Sequence, residues 1–353
     1  FNFLLNKKII IFSVSKTLKQ RIRSNLDNSK IVRQLFFNVL FVVLLSDLVG
    51  AFTSFTDGIC ASRLINDAAS AALAVIAPLI TFIKVIVTII QIGAQILTSK
   101  KLAQGDIEGA KKIFSTTIAL SIFSGLVLAI ILIPMCYQGN LLWLLGADSA
   151  SYKYALCYIM GVLIGIVFYI IYTTLFPIAN LVNGKKLTMI SIIAVLSVNV
   201  VGDVISGVVF SYGPHAGDPQ YGKWAMLGIA GATVLSFIVG TIIIIQVFKN
   251  KKSILKFSFK NISIRNVGEI ILIGLPAGAK LIFIFLRTTT INVIINNMPN
   301  LPVVVKYDPR VLFTALSAQS HITPFIESIS GGLIAATLSL SSIFYAEEDE
   351  DSL

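Results

Sequence analysis

Asp57, Asn199 and Asp203 stand out because each lies inside an apolar run long enough to cross a bilayer. A charge at mid-helix in such a run costs about 2.5 to 3.5 kcal/mol on insertion scales, so each needs a reason to be there. Asp57 sits in SFTDGICASRL and Asp203 in SVNVVGDVISG, with Asn199 four residues before it. That spacing puts the amide and the carboxylate on one helix face. By helical rise, Asp57 and Asp203 lie within roughly 6 Å of each other in depth. Two carboxylates and an amide at one level can hold a proton or a cation, and an intramembrane acid is functional by default. The plainer alternative is an interhelical hydrogen bond that only holds helices together. Asp47, lower in the same segment as Asp57, reads equally well as a packing contact.

Four more charges fall in or near spans. Lys84 and Glu327 occupy equivalent positions when the sequence is shifted by 243 residues, and both lie near mid-depth. Opposite charges at related positions predict an ion pair that latches one conformation. The alternative is a snorkelling lysine and a solvated glutamate. Lys280 and Arg287, seven apart, share a face and are expected to line a cavity, contacting an anionic substrate or restraining a carboxylate. His215 and His321 read as loop and helix-end residues. Enzyme signatures are missing: there is no HExxH, GxSxG or phosphate loop. Asp203 follows VVG rather than the GxG of an intramembrane aspartyl protease. The reading is a non-enzyme without a cofactor or bound metal, with H+ or Na+ as coupling ion. Cys60, Cys136 and Cys157 are too scattered for a disulfide framework, and apolar packing is expected of them.

The elements that must position these residues follow from composition. Hydrophobic residues make up 56% and charged residues 13%, about half the charge of a soluble domain. Eight apolar segments result, roughly 35–60, 69–98, 113–136, 154–180, 189–210, 227–247, 270–295 and 311–344, giving an all-α polytopic membrane protein. The net charge of +11 does not imply nucleic acid, because Lys and Arg sit in short loops with no basic face or aromatic platform. With the N-terminus inside, inside regions hold 20 Lys and Arg and outside loops hold 5. That bias predicts a cytoplasmic N-terminus.

The 243-residue shift lays the second segment over the eighth without a gap, placing Ala72, Leu73, Phe82 and Ile83 on Ala315, Leu316, Phe325 and Ile326. Repeated bundles with sites between halves are a common transporter plan.

The residues around Asp57 and Asp203 are also where the sequence resembles the multidrug and toxic compound extrusion (MATE) family. VVLLSDLVGAFTSFTDGICASRL is similar to that family's first helix. AALAVIAPL followed by SKKLAQGDIEGAKKIF resembles its second helix and loop. NGKKLTM after segment four and MLGIAGATVLS at the start of segment six also fit, in the right order. In some branches an Asn and an Asp four apart on helix five act with the helix-one Asp, and Asn199 and Asp203 match that spacing. Val42 stands where the family usually has Pro. Ile284, eight residues after Pro276, stands where some sodium-coupled members carry Glu, which shifts the expected coupling to the first lobe.

The resemblance implies a six-helix N-lobe and the start of a pseudo-symmetric C-lobe, eight of twelve spans. Residues 1–34 would be a cytoplasmic segment, 35–247 the N-lobe, 248–269 a cytoplasmic inter-lobe loop, 270–345 helices seven and eight, and 346–353 an acidic cytoplasmic end. It implies a monomeric antiporter in the plasma membrane that exports organic cationic or amphipathic small molecules in exchange for H+ or Na+. Its partners would be that substrate and the lipid bilayer. The alternatives are a flippase for lipid-linked oligosaccharides and a truncated, inactive fragment.

Overall fold

The computed structural model describes residues 48–346 apart from 139, 183, 213–218, 251–252 and 299–307, with scattered positions between 33 and 45. Val42, Asp47, His215, residues 1–32 and the acidic end 347–353 lie outside the described residues. Among those described, the regular structure is entirely helical. The first helix, α1 (48–65), ends in a π-helical turn, Cys60–Ile65. It is followed by α2 (Asp67–Ala103), α3 (Ile107–Tyr137), the short α4 (Asn140–Leu144), α5 (Tyr152–Ile164) and α6 (Ile166–Leu181). Then come α7 (Lys185–Tyr212), α8 (Pro219–Lys249), α9 (Ile264–Asn297) and α10 (Pro309–Ala346). Helices α2, α3, α7, α8 and α9 are each long and apolar enough to cross a bilayer. Helices α5 and α6 make one further span, bent by 56°. The protein is a multi-pass membrane protein.

The bend departs from the single straight segment read at 154–180. The bend falls at Gly165, where a Cβ would overlap the Val234 side chain of α8. The close approach of α8 thus depends on a glycine that weakens the helix.

Helix α2 is central and packs on α3, α5, α6, α9 and α10. It starts where Asn66, in extended backbone, accepts a 2.8 Å hydrogen bond from the Ala69 amide. Such a cap satisfies one of the orphan donors of the first turn. The turn from α2 to α3 uses Gly105 at φ +71° and Asp106, whose carboxylate accepts from the Gly109 amide (2.8 Å) and from Lys101 Nζ (2.8 Å).

Where α2 meets α9 the backbones touch. A Cβ on Gly93 would run into the Ile270 carbonyl, and one on Gly274 into the Ile89 carbonyl. Small residues permit this in lipid, where packing rather than hydrophobicity holds helices together. Further along the same contact, Pro78 lacks the N–H that would serve the Ala74 carbonyl. Buried Asn292 of α9 supplies the donor instead, at 3.0 Å, and also reaches the Val75 carbonyl at 3.4 Å. One end of the bundle is joined by Arg310, which donates from Nε and Nη2 to Asp148 Oδ2 (3.1 and 2.8 Å). At the other end, the Ser258 and Ser263 amides donate to Ser115 and Thr116 of α3, both at 3.1 Å. All three cysteines are free, with Cys60 and Cys136 buried.

Candidate coupling site

Asp57, on α1 just before the π-helical turn, is 5% exposed, and Asn199 and Asp203 on α7 are fully buried. Unusual turns of this kind recur next to functional positions. Helix α7 comes close because its small residues are placed for it. Gly207 packs on Leu64 of α1, and Gly202 packs on Ala232 of α8. Asp203 is thereby aimed at α1, where its carboxyl faces that of Asp57, with the Asn199 amide alongside.

The surrounding donors are few. The Tyr158 hydroxyl of α5 donates to Asp57 Oδ2 at 2.6 Å. Asn199 Nδ2 donates to the Thr233 hydroxyl of α8 at 3.0 Å, and that hydroxyl in turn donates to the Ile229 carbonyl at 3.2 Å. Asp57 Oδ1, both carboxylate oxygens of Asp203 and Asn199 Oδ1 are buried without a donor among the described residues. Four such oxygens in one place are unfavourable unless something positive joins them. Two facing carboxylates are satisfied by a shared proton or by a cation held between hard oxygen ligands. Among the described residues there is no group of three or more His, Cys, Asp or Glu that could hold a metal ion. The donor set suits a proton or a monovalent cation better than a transition metal.

The structure brings Asp57, Asn199 and Asp203 together. It does not bring the other sequence-selected residues into that cluster: Lys84, Lys280 and Arg287 are exposed, and Glu327 is half-buried on α10. Tyr158 and Thr233 were not selected from the sequence, where a tyrosine in YALCYIMG and a threonine in AGATVLS carry no signal of their own. His321 corrects a reading. Far from a helix end, it is the thirteenth residue of the 38-residue α10 and packs against α1 beside Asp57.

Residues 39–205 match the MatE family model. No curated protein is similar to the chain in sequence beyond chance. Among solved structures, the MATE multidrug transporter DinF-BH, in a ligand complex, is 20% identical, with a TM-score of 0.73 over 89% of this chain and 66% of that one. An outward-facing multidrug resistance MATE family transporter of the MOP superfamily is 18% identical, with a TM-score of 0.72 over 91% and 67%. An inward-facing one is 18% identical, with a TM-score of 0.67 over 89% and 68%. The chain spans about two thirds of the length of these structures. It therefore carries a MatE domain on the fold of the MATE transporters.

Proposed function

We propose that the protein works in secondary active efflux, exchanging organic cationic or amphipathic compounds for H+ by alternating access. The observation that carries this reading is the set of four donorless buried oxygens on Asp57, Asp203 and Asn199. A proton entering there removes one of two facing charges, so occupancy and helix packing become linked. Tyr158 holds Asp57 from α5, and Asn199 ties the site to α8 through Thr233. A proton gained or lost at Asp57 thus bears on four helices at once. The same oxygens suit Na+, which is the alternative coupling ion. The likeness to DinF-BH, a multidrug transporter solved with a ligand bound, supports a small-molecule substrate. In this reading the Asp148 end of the bundle is extracellular, the N-terminus is cytoplasmic, and α1–α8 form one lobe while α9 and α10 belong to a second.

Proteoliposomes loaded with ethidium, a fluorescent organic cation, test the proposal. Ethidium movement driven by an imposed pH gradient, and lost in Asp57→Asn, is the expected result. Movement indifferent to the pH gradient but dependent on Na+ overturns proton coupling.

A further inference from the structure

The α1–α10 seam is built around His321. Its Nδ1 lies 3.2 Å from the Ser54 hydroxyl of α1 and its Nε2 lies 3.3 Å from the Ser317 hydroxyl, one turn away on α10. Ser317 in turn accepts a 3.3 Å hydrogen bond from Ser70 of α2. The ring rests on the α1 backbone at Gly58, where any Cβ would overlap it. One turn along α10, Phe325 packs edge-on against Phe52 and Phe55 of α1, with ring centroids 5.0 and 5.7 Å apart. Residues 54–58 of α1 therefore touch the imidazole on one side and carry Asp57 to the buried carboxylate site on the other.

We infer that His321 is a positioning residue that makes this seam respond to protons, so that closure of α10 on α1 is coupled through residues 54–58 to the state of Asp57. The inference rests on the transport reading above. A neutral ring protonated on Nδ1 completes a directed chain: Ser70 donates to Ser317, Ser317 to Nε2, and Nδ1–H to Ser54. A proton added at Nε2 turns both ring nitrogens into donors and strands the Ser317 proton without its acceptor. The new charge also meets Lys84 of α2, whose charge acts on the ring. From α1 the nearest titratable group is Asp57, which points away toward Tyr158 and Asp203. On α10 itself Glu327 lies six residues on, on a different face. The neutral ring closes the seam and the protonated ring loosens it.

The test uses the full chain in nanodiscs with native cysteines replaced and spin labels at Ile59→Cys and Gln319→Cys. Inter-label distances are followed from about pH 8 to about pH 3.5, a range that reaches well below the ordinary histidine value. A longer-distance population that grows on acidification, is lost in His321→Gln, and persists in Asp57→Asn with a shifted midpoint is the expected result, because coupling between two sites is reciprocal; an unshifted midpoint overturns the link to Asp57. An identical pH response in His321→Gln overturns the inference. Because the chain has two histidines, imidazole-15N labelling with His215→Asn isolates the His321 signal. A ring that stays neutral while the labels separate overturns it equally. Failure of ethidium transport with a seam that still responds would sink the transport reading and leave the proton-responsive seam standing.

Discussion

Tyr158 and Asp57 are 101 residues apart in the chain and 2.6 Å apart in the fold, the phenol donating to a carboxylate that has one further buried oxygen unserved. The donor restrains Asp57 without satisfying it, which in the proposed function is what lets the site exchange an ion. Hydrogen bonds to charged groups are worth about 1.5–3 kcal/mol. Tyr158→Phe is expected to keep the fold and to cut gradient-driven ethidium movement by about tenfold, as roughly 1.4 kcal/mol corresponds to one factor of ten. Initial rates in proteoliposomes check it, and a rate equal to wild type contradicts it.

Asp203 carries two oxygens unserved among the described residues in a fully buried place, so its ionised form lowers stability, a cost that the proposed coupling role would account for. Asp203→Asn replaces a charge by a neutral amide of the same shape. The expected outcome is an unchanged or higher Tm in detergent together with loss of transport. A lowered Tm with transport retained would mean that Asp203 is a structural strut.

The sequence made much of this legible, and the limits have physical causes. Long apolar segments predicted the helices because a bilayer demands them. Asn199 and Asp203 could be paired because four residues make about one helix turn. The contact between Asp57 and Tyr158 could not be seen, since nothing local encodes a partner 101 residues away. His321 was misread for the same reason: its partner Ser54 lies 267 residues away. The break at Gly165 was hidden because glycine in an apolar run has no periodic signature, and the neighbour packed on it is Val234 of another helix.

Asn292 and Pro78 offer a clean double-mutant cycle. Asn292→Leu leaves the Ala74 carbonyl without its donor and is expected to destabilise by about 1–3 kcal/mol, the cost of an unsatisfied buried group. Pro78→Ala restores the missing amide, so in that background the same asparagine change should cost clearly less. Thermal unfolding of the four proteins reads the coupling, and strictly additive effects would show that the amide does not stand in for the proline.

Arg310 and Asp148 lie outside the membrane-spanning segments, where pH acts directly. Burial pushes the Asp148 carboxyl up, but hydrogen bonds from Ser151 and Arg310 outweigh it and hold the group below the usual carboxylate range. A lowered folded value means the contribution is full above the ordinary carboxylate range and is lost as pH falls through the folded value. Both side chains are more than a third exposed, so the pair is worth at most about 1 kcal/mol. Arg310→Gln should lower Tm slightly at neutral pH, by less in high salt, and not at all at strongly acidic pH. An effect that persists in acid would assign Arg310 a different partner.

The most direct test of the central claim is proton release on substrate binding. Purified protein in weakly buffered detergent is mixed with ethidium while the pH is recorded. Exchange at Asp57 and Asp203 predicts a burst of protons from wild type and none from the double variant Asp57→Asn, Asp203→Asn. An equal burst from both proteins would show that the coupling ion is held elsewhere.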